Sequence, residues 1–198
     1  SEYLRGTVIY VGIESGSDRL LDAVGRPCLF HESVESIKKL IDRGIRVYVY
    51  LLHGLPGERP EDVEETVKAI DILRSIGVER IVLYRFTPLP RTAFEDASRP
   101  SAAVKDPIRR ILYEKVKEFN TKSKYRILGR VLKAVVASRY RGFRQLIAYP
   151  LTHGPVVIVE GSEKLIGAVV MVKIVDVISD RLVRGEIVSV LRRVINVK

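Results

Sequence analysis

The 198-residue sequence contains one cysteine, one methionine, one glutamine, two asparagines and no tryptophan. A lone Cys28 excludes an internal disulfide and any metal site built from cysteines alone. The three histidines, His31, His53 and His153, fall in separate segments without ligand-like partners, so no His₃ site is expected. No run of about 18 consecutive apolar residues occurs, which argues against a transmembrane helix, and the N-terminus lacks the charged-then-apolar pattern of a signal peptide. The expected location is therefore the cytoplasm, with no membrane partner. The scarcity of Asn, Gln, Met and Cys is the pattern of a thermophilic source.

What is present is enough to fold. With 46% hydrophobic and 29% charged residues the chain can bury a core, and its length suits one large or two modest domains. Its net charge of +10 is unevenly placed: residues 1–122 hold 20 basic and 19 acidic side chains, residues 123–198 hold 14 and five. That shift marks a domain boundary near residue 124. A basic C-terminal domain points to a polyanion such as nucleic acid, with ordinary solubilising charge as the alternative.

The first half alternates strands and helices. Thr7-Val-Ile-Tyr-Val-Gly-Ile13, Val47-Tyr-Val-Tyr-Leu-Leu52 and Arg80-Ile-Val-Leu-Tyr-Arg-Phe86 are β-branched, apolar runs of the kind buried on both faces of a parallel sheet. Between them, Val34, Ile37, Leu40 and Ile41 mark one helix stopped by Gly44. Pro60, Glu61 and Asp62 open another whose apolar spacing runs to Gly77. The pattern is βαβαβ, and such units bind ligands at the carboxyl ends of their strands. Three polar turns occupy that edge: Gly12 to Asp18, His53 to Glu58, and Thr87 to Arg91. Either they hold a ligand, with Glu14 and Glu58 as hydrogen-bond acceptors, or they only reverse the chain. His53 could touch a substrate or merely orient its turn.

Gly12-Ile-Glu-Ser-Gly-Ser-Asp-Arg-Leu-Leu21, followed after a helix and a strand by Leu52-His-Gly-Leu-Pro-Gly-Glu58 with Asp62 and Glu65, resembles the C-terminal half of a radical S-adenosylmethionine (radical SAM) enzyme barrel. The likeness is to methylthiotransferases and related proteins that pair such a barrel with a TRAM domain. It implies S-adenosylmethionine as cofactor. Carried over by position, it implies that Glu14 and Ser15 face the sugar and methionine portion, that backbone near Leu52 and Gly54 flanks the adenine, and that Leu83 and Tyr84 offer backbone to it. The chain reads Thr87-Pro-Leu-Pro-Arg-Thr92 where methylthiotransferases often read Ser-Pro-Arg-Pro-Gly-Thr, a departure that other radical SAM subfamilies share.

The resemblance also implies a four-iron four-sulfur cluster held by CxxxCxxC. One cysteine cannot hold it. The family's cysteines precede the strand near which this sequence begins, so the cluster is expected in a full-length parent and not in this chain. The chain alone is then inactive, a truncation of a longer enzyme, a split subunit that partners the missing N-terminal half of the barrel, or a degenerate protein. No catalytic residue is assigned to it, and Cys28 reads as a small packed side chain.

Asp106-Pro107 opens a helix whose face of Ile108, Ile111, Leu112, Val116 and Phe119 docks on the barrel, and the polar stretch Asn120 to Lys124 ends it. Beyond it, Arg130–Ala137, Gln145–Tyr149, Val156–Val159, Val169–Ile178 and Leu182–Leu191 read as five antiparallel strands of a small OB-like barrel. Leu165-Ile-Gly-Ala-Val-Val-Met-Val-Lys-Ile174, with Asp176 and Leu182-Val-Arg-Gly-Glu-Ile187, resembles the end of a TRAM domain, an RNA-binding module of tRNA- and rRNA-modifying enzymes. The expected fold is thus α/β plus all-β: half of a radical SAM (β/α) barrel over residues 1–124, then a TRAM β-barrel over residues 125–198.

Ser138-Arg-Tyr-Arg-Gly-Phe-Arg144 joins the first two barrel strands. Arg139, Arg141 and Arg144 interleave with Tyr140 and Phe143, a combination that neutralises phosphates while stacking bases; the alternative is a solvated hairpin tip. Lys133, Lys164 and Lys173 either widen that electropositive face or lie on another side of the barrel, which the sequence does not fix. The reading is the C-terminal portion of an enzyme modifying RNA, foremost tRNA, by methylthiolation or a related reaction. A non-catalytic RNA-binding scaffold with a degenerate barrel, and an enzyme acting on a ribosomal protein, are the alternatives.

Overall fold

Along a strand, successive side chains point to opposite faces, so Val47, Val49 and Leu51 must lie on one side of their sheet and Tyr48, Tyr50 and Leu52 on the other. A computed structural model describes residue 4, residues 6–142 and residues 144–192. It divides the chain into two units, residues 1–120 and 121–198.

The first unit contains β1 (Val8–Glu14), α1 (Asp18–Ala23), α2 (Phe30–Asp42), β2 (Arg46–His53), α3 (Pro60–Ser75), β3 (Arg80–Arg85) and the start of α4 (Pro107–Tyr125). The strands form a parallel sheet in the order β1-β2-β3, with Val8 opposite Arg46 and Tyr48 opposite Arg80. Helical residues Leu21, Phe30, Ile37, Val63, Ile70, Leu73, Leu112 and Phe119 form one core with Ile13, Val47, Val49, Leu51 and Ile81. The expected burial on both faces holds only in part: on the second face Tyr48 of the central strand is buried, but Tyr10 and Tyr84 of the flanking strands are exposed. The second face is a tyrosine face: Tyr10 and Tyr50 stack with ring centroids 5.1 Å apart, and Tyr48 and Tyr84 meet them edge-on at 5.2 and 5.3 Å. Tyr10 is 41% exposed and Tyr84 50%.

Local chemistry sets the helix ends. Pro60 occupies the first turn of α3, where its missing N–H costs nothing, and Asp62 Oδ2 accepts from Arg59 N at 2.7 Å. Gly77, at φ 97°, closes that helix in a conformation costly for other residues. Asp106 Oδ1 accepts from the backbone N–H groups of Ile108 and Arg109 and so caps α4. The short α1 was not expected. The helix α4 ends at Tyr125, one residue past the polar stretch Asn120 to Lys124 expected to end it, and Asn120 turns inward and serves the sheet: Ile81 N donates to its Oδ1 at 3.0 Å, and its Nδ2 donates to Ile81 O at 2.7 Å.

The second unit contains β4 (Val131–Arg139), β5 (Gln145–Pro150), β6 (Val156–Glu160), a 3-10 turn (Glu163–Leu165), β7 (Val169–Val177) and β8 (Leu182–Arg192). They close into a barrel in the order β4-β5-β6-β8-β7, with β7 returning to β4. The expectation of wholly antiparallel strands is corrected here: β6 and β8 run parallel, Val156 opposite Leu182 and Val159 opposite Gly185, while the other pairs are antiparallel. Alternate residues fill the interior, among them Ala134, Val136, Leu146, Val157, Val170, Val172 and Val183.

Gly185 occupies an interior position where no side chain fits. A Cβ there would lie 2.3 Å from Val172 Cγ1 and 2.8 Å from Val157 Cγ1. Gly185→Ala is therefore expected to destabilise the barrel by about 1–3 kcal/mol through overpacking. The readout is a lowered denaturation midpoint at unchanged slope; an unaltered midpoint would show that the barrel interior has room to yield.

Candidate functional site

The carboxyl edge of the three-stranded sheet begins at Glu14. A bulge between Gly12 and Glu14 interrupts the register with β2, and Glu14 takes a left-handed backbone, φ 71°, unusual for a residue with a side chain. Its carboxylate folds back over Gly12: a Cβ on Gly12 would lie 2.4 Å from Glu14 Oε1. Burial raises the Glu14 pKa, opposed by Arg26, whose Nη2 lies 3.7 Å from Oε1 and donates to Gly12 O at 2.8 Å. Leu52 and Tyr84 stand opposite each other in register, Tyr84 on the open tyrosine face. Leu83 faces the other way and packs on the helical core. Gly54, at φ 74°, lies so close to Pro100 that a Cβ would meet its ring at 2.3 Å. The structure thus brings Glu14, Leu52, Gly54 and Tyr84 to one sheet edge.

Ser15 is placed differently. It is buried, and its hydroxyl is committed within the turn: Ser17 N donates to Ser15 Oγ at 3.1 Å, and Ser15 Oγ lies 3.1 Å from Thr66 Oγ1. Thr66 Oγ1 already donates to Asp62 O, so in that pair Ser15 is the donor. Gly16 N donates to the same Thr66 oxygen at 3.0 Å, and a Cβ on Gly16 would strike Ala69 at 2.4 Å.

The centre of this packing is Asp62, 2% exposed. Its carboxylate accepts from Ser17 Oγ at 2.7 Å, Arg19 Nε at 3.0 Å, Arg19 Nη2 and Arg59 N. Arg19 Nη2 also donates to Gly57 O at 2.9 Å. One carboxylate therefore fastens the turn after β1 to the turn after β2. Burial works to raise the Asp62 pKa, but the hydrogen bonds from Arg19, Arg59 and Ser17 outweigh it and hold the group below the ordinary carboxylate range. In sequence Asp62 is visible as a partner of the helix dipole and as part of the motif after the second strand, but not as the group that joins the two turns.

A second buried carboxylate organises the turn after β2. Glu58 Oε1 accepts from Gly54 N at 2.9 Å, and Oε2 from Arg109 Nε at 2.6 Å; Arg109 Nη1 in turn donates to Asp106 Oδ2 at 2.8 Å. Gly54, Glu58 and Arg109 border an open cleft of about 320 Å³ that Gly57, Ser98 and Pro100 also line. His53 is 4% exposed, and its Nδ1 has no hydrogen bond among the described residues. Burial first, then the charges of Arg109 and Arg85, lower its pKa, so the imidazole is neutral near pH 7.

Part of this edge fits a nucleoside-bearing cofactor: an apolar and aromatic floor, backbone exposed at glycines, and a half-buried carboxylate to accept from hydroxyls. An iron–sulfur cluster does not fit this chain. Cys28 lies with its Sγ 3.3 Å from Ser33 Oγ, and among the described residues no group of three His, Cys, Asp or Glu could hold a metal.

In the barrel unit the whole net charge is concentrated: residues 121–198 hold 15 basic and five acidic side chains, against 19 of each in residues 1–120. Arg139 ends β4, Tyr140 N donates to Gln145 O at 2.8 Å, and Gly161 N donates to Arg144 O at 2.9 Å, so the loop is tied at both ends. Arg141 and Arg144 are exposed. Phe143 lies outside the described residues. Lys164 belongs to the 3-10 turn whose Glu163 pairs with Arg139, whereas Lys133 and Lys173 project from the outer faces of neighbouring strands β4 and β7. Among the described residues no helix is long and apolar enough to cross a membrane.

Comparison with known proteins gives a match of residues 2–70 to the Radical SAM superfamily. An uncharacterized protein of Methanopyrus kandleri is 34% identical over 194 residues, covering 98% of this chain and 37% of its own length. A tRNA-2-methylthio-N(6)-dimethylallyladenosine synthase of Klebsiella pneumoniae is 30% identical over 184 residues, 91% of this chain and 38% of its own length. A threonylcarbamoyladenosine tRNA methylthiotransferase of Thermotoga maritima is 26% identical over 133 residues, 64% of this chain and 29% of its own length. The chain spans about a third of the length of these relatives.

The Asp62 network yields a pH-dependent expectation. A carboxyl whose pKa is lower in the folded than in the unfolded chain adds stability above about pH 4 and loses it as the pH falls through the depressed value. Asp62→Asn is expected to cost about 1.5–3 kcal/mol at neutral pH and to flatten the acid limb of a stability-against-pH curve. An acid limb identical to that of the parent would remove Asp62 as its source.

Proposed function

Because this chain belongs to the radical SAM superfamily and is methylthiotransferase-like, we propose that it is the C-terminal portion of a radical SAM enzyme that modifies tRNA, by methylthiolation or a related reaction. The observation that carries this reading is the reach of the similarity: 91% of the chain, across both units, aligns with a protein named as a tRNA-modifying synthase. In this reading residues 1–124 contribute part of a (β/α) barrel and of the S-adenosylmethionine pocket, and residues 125–198 are an OB-like TRAM domain that grips RNA.

Several features support it. The first unit is a parallel sheet with helices on one face and aromatic rings on the other, which is how a barrel wall with a lined interior is built. The order first-second-third-fifth-fourth in the second unit, with third and fifth strands parallel, is that of OB-type Greek-key barrels. In this superfamily a reduced iron–sulfur cluster, whose ligands would come from outside this chain, would donate the electron that cleaves bound S-adenosylmethionine and so supply radical chemistry. The chain's own residues would bind and orient: Glu14 accepts from ribose hydroxyls, Leu52 and Tyr84 floor the adenosine, and backbone at Gly54 flanks its ring. Ser15 would act through the turn it braces. Arg139, Arg141 and Arg144 would meet phosphates, with Tyr140 and Phe143 stacking on bases.

Replacing Arg139, Arg141 and Arg144 together by Ala is expected to weaken tRNA binding at least tenfold at low salt and to reduce the slope of log affinity against log salt by about 0.7–0.9 per lost phosphate contact. Unchanged binding would sink the RNA-binding assignment. For the enzymatic part, the gene product extended upstream of Ser1 is expected to carry CxxxCxxC, bind iron and cleave S-adenosylmethionine. An extended product without those cysteines would favour the non-catalytic scaffold.

A further inference from the structure

Glu163 stands where the proposed RNA loop would receive a phosphate. It opens the 3-10 turn Glu163–Leu165, and that turn is held rigidly against the first barrel strand: Gly167 N donates to Val136 O at 2.7 Å, Val136 N donates to Ala168 O at 3.0 Å, and Ile166 N donates to Glu163 O. The same segment also fixes the far end of the loop through the Gly161 N to Arg144 O bond. From this anchored position Glu163 Oε2 accepts a hydrogen bond from Arg139 Nη2 and forms an ion pair with it. Both side chains are largely exposed, at 69% and 53%. Arg141 and Arg144 have no side-chain partner among the described residues. One of the three loop arginines is therefore already occupied by an anion, and the anion belongs to the chain itself.

We propose that Glu163 is an internal stand-in for an RNA phosphate: it holds Arg139 in the free protein, must give it up when RNA binds, and thereby sets the affinity of the loop. The inference rests on the reading of this loop as an RNA contact. A carboxylate beside a guanidinium competes with phosphate for the same fork of N–H donors, and its own charge repels an incoming phosphate. An exposed ion pair is weak enough to be exchanged, so Glu163 tunes binding without blocking it. The arrangement lets RNA dock first on Arg141 and Arg144 and recruit Arg139 afterwards. It also speeds release, because Glu163 is adjacent to recapture the guanidinium.

The test is fluorescence anisotropy with a labelled single-stranded RNA and a transcribed tRNA, on the full chain and on Glu163→Gln, Arg139→Ala and the double variant. All four proteins are expected to melt alike, since both side chains lie in solvent. Glu163→Gln is expected to tighten binding about three- to tenfold when Arg139 is present and less than twofold when it is Ala. Unchanged or weaker binding by Glu163→Gln would overturn the proposal. So would an equal gain in the Arg139→Ala background, which would reduce Glu163 to one negative charge among others. If instead the triple arginine variant binds RNA as the parent does, it is the RNA reading that has failed.

Discussion

A charged carboxylate can be buried only if donors surround it, and at Asp62 those donors come from three places: the turn after the first strand, the short helix that follows it, and the residue before the third helix. The consequence is geometric. The two turns that form the carboxyl edge of the sheet cannot move independently, because Ser17 and Arg19 on one and Gly57 and Arg59 on the other converge on, or are bridged through, the same group. Glu14 and Gly54, with the left-handed backbones they adopt, are held at this edge by turns that are themselves locked. Strain is retained where the surroundings over-determine it.

The elements themselves were legible in the sequence, since β-branched runs and proline or aspartate caps act locally. The strands at 8–14, 46–53 and 80–85 and all five barrel strands lie within a few residues of their expected places. What escaped depended on distance or on the dual nature of a residue type. Tyrosine counts as apolar in a periodicity argument, so the alternation of Val47, Val49 and Leu51 with Tyr48 and Tyr50 read as uniform burial. Asn120 read as one of several polar residues at the end of a helix, and nothing local shows that its amide reaches the backbone of Ile81, 39 residues earlier. The parallel pairing of the third and fifth barrel strands is set by closure of the whole barrel, which no local pattern encodes. Among the site residues, Glu14, Leu52, Gly54 and Tyr84 share one edge with the backbone of Leu83, whose side chain packs on the helical core, while Ser15 is buried within its turn. The network that joins Arg19, Asp62 and Thr66 was missed because its partners lie more than 40 residues apart.

The two units solve the problem of charge in opposite ways. The first carries equal numbers of acidic and basic side chains and spends several on internal pairs, including Arg46 with Glu79 and Arg109 with Glu58. The second has 15 basic and five acidic side chains, so its cations outnumber its own carboxylates three to one. Its interior is correspondingly plain, made of alanine, valine, leucine and isoleucine, with Gly185 where two valines already fill the space.

The amide of Asn120 occupies both backbone groups of Ile81, the donor and the acceptor that the outer margin of the third strand would otherwise present at that point. At that point a side-chain amide stands in for a strand neighbour: a further strand would find no free backbone pair at Ile81.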